Sequence, residues 1–460
     1  MPRARIQRIQ DSVHGLMQFR GMEAIVIDLL RTEELQRLRR IRQMGLGYLV
    51  FPGAEHSRLV HSLGAAHLAI QFGRHLQEAA RDSLVELMRP SEEAIRDLAI
   101  AALCHDLGHG PLSHAWEREV VADFSREAWL KTLGLTPIEP FERLKWHELV
   151  CQALLSWEDG ELHQLLENQE RGLSERIRAL LVGRYYLDYL PRLVSSDIDV
   201  DRADFLIRDA HQCGVAYGRY DVAWLISTCT LGQTSANRWV VGWDRRKALR
   251  IVEQLLIARE ALYHTAYWHK TVVSAEVMVG LFLRCYRAKT EPGSESAINE
   301  LMRPFARAIA GNPLSPKELL VLDDFGLWVF ISYAANNNAM DPVVRELAQR
   351  IIRRDLFKLV PVTSDRLREF LSRPEGWQDI LRVVRKYAPG DASYYVHVDT
   401  HTFRLFEDDP QTWAYFVDES RHASPIRDDP DLRQHVQGPR TTQRLYTIRE
   451  ARDDLAALIK

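Results

Sequence analysis

The sequence has little that would place it outside the cell or in a membrane. Its five cysteines, Cys104, Cys151, Cys213, Cys229 and Cys285, are scattered through 460 residues and never form a Cys-x-x-Cys pair. This argues against a disulfide framework and a zinc ribbon and fits a reducing cytoplasm. No apolar run reaches the roughly 20 residues that a membrane span needs. Excess charge of one sign is also missing: 60 Lys and Arg face 63 Asp and Glu, a net charge of -3. No global field therefore draws the chain to nucleic acid or to a lipid surface, and any recognition of phosphate has to be local. Internal repeats and low-complexity tracts are absent.

What is present is an ordinary globular composition, 46% hydrophobic and 27% charged, in a chain long enough for a large core. The stretch from Pro90 to His114 stands out. Ser91, Glu92 and Glu93 form a helix start, with a capping hydroxyl and carboxylates where the helix dipole favours them. Ile95, Leu98, Ala99, Ala102 and Leu103 then recur as one buried stripe, and His105, Asp106 and His109 continue it inward. A carboxylate turned into an apolar interior has to be compensated. A divalent cation suits an imidazole and a carboxylate together; for the pair alone, a core histidine bonded to its neighbour is the plainer reading.

The rest of the chain supplies companions. A helix capped by the Thr32 hydroxyl runs through Ile41, and its Arg37, Arg39, Arg40 and Arg42 read first as a solvated basic face and second as guanidinium forks for phosphate or base edges. Pro52 and Gly53 break the chain, and a new helix from Ser57 carries Arg58 and His61, three apart and able to face one pocket; His56 and His67 read as structural. Trp146 opens another helix with His147 and Glu148. After Pro191, a helix beginning near Asp199 places Asp201, Phe205 and Asp209 on one ridge with Arg202 beside them. Residues 246–288 read as one long helical segment containing Arg259, Tyr267, Trp268 and Lys270, ended by the break Glu291-Pro292-Gly293-Ser294-Glu295-Ser296. Beyond residue 320, alternation through Tyr395, Val396, Val398, Phe403 and Leu405 has the period of half-buried strands. The expectation is a mainly α chain: a helical catalytic core over 1–320 and a smaller mixed α+β lobe over 321–460.

His61, His105, Asp106 and Asp201 are thus two imidazoles and two carboxylates from three helices, a set for one divalent ion with positions left open. His109, His114, His147 and Glu148 stand nearby for proton transfer. Together they suit hydrolysis of a phosphate ester.

The order His61, then His105-Asp106, then Asp201 resembles that of the HD-domain metal-dependent phosphohydrolases. The strings Arg37-Leu38-Arg39-Arg40-Ile41-Arg42-Gln43, Tyr48-Leu49-Val50-Phe51-Pro52-Gly53-Ala54, Arg58-Leu59-Val60-His61-Ser62-Leu63-Gly64, Leu103-Cys104-His105-Asp106-Leu107-Gly108-His109-Gly110-Pro111, Ile198-Asp199-Val200-Asp201-Arg202 and Tyr267-Trp268-His269-Lys270 resemble those of deoxynucleoside triphosphate (dNTP) triphosphohydrolases. That group includes bacterial dNTPases and the animal enzyme that joins a SAM domain to an HD domain. The likeness covers residues from about 8 to 290, and more loosely Arg354-Asp355-Leu356-Phe357-Lys358. It implies an HD-type helical fold and conversion of a dNTP and water to deoxynucleoside and inorganic triphosphate. It further implies one divalent ion per site (manganese, iron, magnesium, cobalt, nickel or zinc), held by His61, His105, Asp106 and Asp201. By the same resemblance His109, His114 and His147 surround the α-phosphate, with His114 as general acid. Arg58, Arg259 and Lys270 meet phosphates, and Gln43, Tyr267 and Asp209 surround the sugar. Where the animal enzyme has lysine, tyrosine and glutamine, this chain has Arg202, Phe205 and Trp268. Its regulatory site reads guanine with an aspartate and an arginine, where this chain has Arg31 and Arg39. The resemblance also implies a homo-oligomer, dimer or tetramer, and leaves a regulatory nucleotide open. Two other readings keep the same residues: hydrolysis of a nucleoside monophosphate, cyclic nucleotide or other phosphate ester, and a nucleotide-binding regulator.

Overall fold

The computed structural model describes residues 6–79, 86–121, 125–135, 144–290, 300–432 and 438–460; the break expected at Glu291–Ser296 lies outside them. The chain opens with a hairpin. β1 (Ile6–Asp11) pairs antiparallel with β2 (Gly15–Arg20), from Ile6 opposite Arg20 to Asp11 opposite Gly15. Asp11 Oδ1 accepts the backbone N–H groups of Val13 and His14, both at 2.9 Å, and so builds the turn from its own side chain.

The helix expected from Thr32 to Ile41 is shorter. Regular α1 covers Glu33–Arg37, and Leu38–Arg40 tightens to a 3-10 turn. The Thr32 hydroxyl donates back to the Leu29 carbonyl at 2.8 Å instead of accepting a helix N–H. The basic face is only partly solvated, because Arg37 is buried. Among the described residues its guanidinium pairs with no carboxylate; it donates to the carbonyls of His109 at 2.6 Å, Leu319 at 3.1 Å and Leu107 at 3.2 Å. Burial pulls its pKa down to about 10.

The helical core consists of α2 (Arg58–Ala79), α3 (Glu92–Cys104), α4 (Trp146–Ser156), α5 (Leu173–Leu181) and α6 (Val200–Cys213). α2 lies between α3 and α6, and α5 packs on α3 and α4. Ser91 caps α3 by accepting the Ala94 N–H at 3.1 Å, and Asp199 caps α6 by accepting that of Arg202 at 2.8 Å. α3 differs from the expected one-sided stripe: every residue from Ala94 to Cys104 is buried, including Arg96 and Asp97, which pair at 2.7 Å. A helix enclosed on all sides is the centre of a core rather than its wall. It stops at Cys104, and His105, Asp106 and His109 follow in the turn beyond it.

β3 (Cys229–Gln233) and β4 (Trp239–Asp244) come next. The expected long helix is two, α7 (Arg245–Leu262) and α8 (Lys270–Lys289), parted by a wide turn at Tyr263–Tyr267. His269 restarts the helix by accepting the Thr271 N–H at 3.2 Å. Then follow α9 (Asp324–Asn336), α10 (Pro342–Ile352), β5 (Lys358–Leu359), β6 (Val396–Phe403), β7 (Tyr415–Val417), β8 (Ala423–Pro425) and β9 (Arg440–Thr447). Besides the hairpin, the described residues form two small sheets, in the orders β3-β4-β7-β8 and β5-β9-β6. β4 and β7 run parallel, with Trp243 opposite Phe416. Helices dominate throughout, as the apolar periodicity predicts. One hydrophobic cluster extends from Met17 to Ile459. No helix among the described residues is long and apolar enough to cross a membrane.

Candidate metal and phosphohydrolase site

α2 enters the site at its first turn. Arg58 points at the segment after α3, while His61, one turn on, is fully buried. His61 Nε2 lies 3.0 Å from Asp201 Oδ1, 3.3 Å from His105 Nε2 and 3.7 Å from Asp106 Oδ2. His105 Nε2 is 3.4 Å from Asp201 Oδ1 and 3.5 Å from Asp106 Oδ1. The four residues named from the sequence therefore meet, with His61, His105 and Asp201 forming the tightest group.

The tautomers fit a cation. His105 Nδ1–H donates to the Ala102 carbonyl at 2.7 Å, and His61 Nδ1–H to Asp204 Oδ2 at 2.8 Å. Each bond leaves a lone pair on Nε2, and both lone pairs converge with the Asp201 oxygen on one point. Three acceptors facing one another need a positive charge between them. Burial opposes charging His61, yet Asp201 and Asp204 outweigh it and push its pKa up to about 10. His105 moves up in the same way, against burial, through Asp106 and Asp201. Surroundings that draw a proton so strongly also draw a metal ion. Among the carboxylates and guanidiniums linked through this network, Asp11, Asp106, Asp201 and Asp204 face Arg58 and Arg208, and the two excess negative charges match one divalent ion. The residues present fit the metal that the sequence implies.

A second cluster adjoins the first. His109 Nε2 is 3.2 Å from Asp106 Oδ1, and its ring stacks on His147 with centroids 4.1 Å apart and planes 14° apart. Glu117 accepts both the backbone N–H and the Nδ1–H of His147 at 3.1 Å and lies 3.5 Å from His114 Nδ1. His109, Glu117 and His147 are close enough to suggest another ion. Imidazole lone pairs lie in the ring plane, however, so two parallel stacked rings cannot share one; the cluster is built for protons. Burial and the nearby Arg58 hold the His109 pKa well below the usual histidine range, keeping it neutral. Although burial opposes it, the bonds from His114 and His147 hold Glu117 well below the carboxylate range. The His114 side chain is 71% exposed, at the mouth of the site. Glu148, placed with these histidines from the sequence, accepts the Lys145 N–H at 2.6 Å as a helix-start cap; Glu117 is the carboxylate that faces them.

The segment carrying these groups is strained and held from outside. Leu112 and Ser113 both have positive φ, 52° and 54°, which non-glycine residues adopt at a cost of about 1–3 kcal/mol each. Asp324, at the start of α9, accepts the Leu112 N–H at 2.8 Å and the Arg42 N–H at 2.9 Å. Arg37 grips Leu107 and His109 as described. Arg58 donates to Ser113 Oγ at 2.8 Å and to Asp106. Gly108 is required by close packing, since a Cβ there would overlap the His147 carbonyl on α4.

Of the other predicted residues, Tyr267 donates to Asp209 Oδ2 at 2.6 Å, while His56, read from the sequence as structural, bonds Asp209 Oδ1 at 2.7 Å. Phe205 stands between His61 and Tyr267, with ring centroids 6.4 and 6.3 Å away. Arg202 contacts Asp199 and the Ser196 carbonyl. Arg259 is buried and donates to the Leu405 carbonyl at 2.7 Å. Its Nε and Gln43 Oε1 are buried without a partner among the described residues. Trp268 stacks on His401 at 4.9 Å. Lys270 lies elsewhere: with Arg354, Lys358, Arg449 and Arg452 it lines a basic cavity of about 670 Å³.

Residues 58–204 match the HD domain family model. The chain is 28% identical over 392 residues to the uncharacterized protein YwfO of Bacillus subtilis, covering 85% of this chain and 78% of that one. It is 26% identical over 402 residues to bovine deoxynucleoside triphosphate triphosphohydrolase SAMHD1, covering 83% of this chain and 63%, under two thirds, of that protein. A phosphohydrolase crystal structure from Bacteroides thetaiotaomicron superposes with a TM-score of 0.72, covering 97% of this chain and all of the other at 22% identity, and so shares the fold. The chain thus carries an HD domain that encloses converging histidines and aspartates, and it is related to the SAMHD1 deoxynucleoside triphosphate triphosphohydrolases at 26–30% identity.

Proposed function

We propose that the protein hydrolyses deoxynucleoside triphosphates to deoxynucleoside and inorganic triphosphate. The observation that carries this reading is the wall beside the metal site, where the Tyr267 hydroxyl is tied to the Asp209 carboxylate at 2.6 Å. The resemblance to dNTP triphosphohydrolases implies that a tyrosine at this place packs against the deoxyribose and disfavours a 2′-hydroxyl, and that the aspartate accepts from a 3′-hydroxyl. Gln43 Oε1 and Arg259 Nε, buried and unmatched, are polar atoms that a nucleotide would satisfy.

His61, His105, Asp106 and Asp201 would hold the ion, which supplies charge stabilisation to a phosphoryl oxygen and lowers the pKa of water. Water attacks the α-phosphorus, the bond to the sugar 5′-oxygen breaks, and that oxygen needs a proton. His114, at the mouth of the site, delivers it. Glu117 orients His147 through Nδ1, leaving its Nε2 to exchange a proton with water or substrate. The basic cavity around Lys270 supports a regulatory nucleotide as a further proposal; a homo-oligomer is proposed only from the relationship to SAMHD1.

The test is chromatography of products after incubation with each dNTP and rNTP plus manganese or magnesium. Deoxynucleoside and triphosphate are the expected products. A metal-loaded protein that cleaves no triphosphate overturns the reading in favour of another phosphate ester or a nucleotide-binding regulator.

A further inference from the structure

We propose that the N-terminal hairpin is a metal-retention clamp, acting through His14 as a positioning residue for the ligand His61. The turn of the hairpin, residues 11–15, ends inside the helical core. His14, with a side chain only 6% exposed, donates from Nε2 to Asp204 Oδ1 at 2.6 Å. Asp204 is fully buried and accepts the His61 Nδ1–H on its other oxygen at 2.8 Å. Arg208 completes the carboxylate with bonds of 2.7 and 2.9 Å and reaches back to Asp11 at 2.9 and 3.2 Å. Asp11 is the residue whose carboxylate folds the turn that presents His14. The network therefore closes on itself: Asp11 shapes the turn, the turn places His14, and His14 and Arg208 fix the carboxylate that orients His61.

The packing is close on the α2 side. Gly64, one turn along α2 from His61, admits this carboxylate because a Cβ there would overlap Asp204 Oδ1 and Arg208. With His14 removed, Asp204 Oδ1 keeps only Arg208, and the carboxylate is free to turn toward it. The His61 ring then has a less firmly fixed partner to hold its Nε2 lone pair on the site. Outer partners of metal-bound histidines are typically worth 10–100-fold in metal affinity. Coupling is reciprocal, so a bound ion must also steady the hairpin.

The inference rests on the metal site and not on the substrate, so its test needs no turnover. Manganese is titrated calorimetrically into metal-free protein, and backbone hydrogen exchange over residues 6–20 is followed with and without the ion. His14→Ala is expected to raise the dissociation constant about tenfold or more. His14→Gln, which keeps an N–H donor of similar reach, recovers most of it. Manganese is expected to slow exchange in the hairpin of the parent protein and not in His14→Ala. An unchanged dissociation constant in His14→Ala, or a hairpin whose exchange ignores manganese in the parent, overturns the proposal. If His14→Ala does not fold, the parent's hydrogen exchange and His14→Gln decide it. A parent that binds no manganese removes the metal site itself, a different failure from a parent that binds it with an indifferent hairpin.

Discussion

At the scale of single residues, the site works by assigning protons. His61 and His105 each spend one nitrogen on a fixed acceptor, which commits the other to the site. Replacing His105 or Asp201 by alanine is expected to abolish metal binding and hydrolysis together; turnover surviving in either variant, measured beside metal content, removes the ligand assignment. Glu117→Gln keeps the shape but removes the charge that orients His147, and a loss of about 10²–10⁴ in kcat with metal affinity retained is expected. The ligands were legible because a histidine and an aspartate following a buried stripe demand compensation wherever they occur. Nothing in the local pattern marks Glu117: its value comes from α4 beginning beside it, with His147 30 residues further on. His14 was similarly silent, since its partner Asp204 is 190 residues away.

Among elements, the contact of α9 with the segment after α3 decides how well the histidines are aimed. Asp324 holds Leu112 against its own strain, so Asp324→Ala is expected to lower kcat by about 100-fold, the cost of a misplacement of about an ångström. Burial, partly offset by the Leu112 and Arg42 N–H groups, pushes the Asp324 pKa up to about 6 from 3.8. A carboxyl whose folded pKa is raised contributes most below its unfolded value and loses that contribution as pH rises through the folded one. The stability of Asp324→Asn relative to the parent should accordingly increase between pH 4 and 6 and be flat above, which urea titrations across that range would check. Gly108→Ala drives a methyl into the α4 backbone and is expected to destabilise by about 1–3 kcal/mol, read from the same titrations. The helices were readable from apolar spacing and some of their starts from the caps Ser91 and Asp199, but other ends were not. Thr32 turns its hydroxyl back to the Leu29 carbonyl, and the wide turn at Tyr263–Tyr267 meets Asp209 through Tyr267, neither of which apolar periodicity contains; β3 and β4 escaped notice although they pair mainly with each other, only Trp243 and Asp244 reaching the distant β7.

Over the whole molecule, the site depends on chain far from the HD domain. Leu319 and Asp324 anchor the histidine segment, and Leu405 occupies the guanidinium of Arg259 across 146 residues of sequence. A chain ending at residue 320 is expected to lose turnover of any phosphate substrate the full chain accepts; retained activity would show that the Asp324 and Leu405 contacts are dispensable. The Arg259–Leu405 bond also sets an order in time. A ribosome adding roughly 5–20 residues per second releases the last metal ligand, Asp201, some tens of seconds before Leu405. During that interval the nascent chain holds every group needed to capture an ion while Arg259 still lacks its carbonyl, so metal loading is free to precede completion of the site.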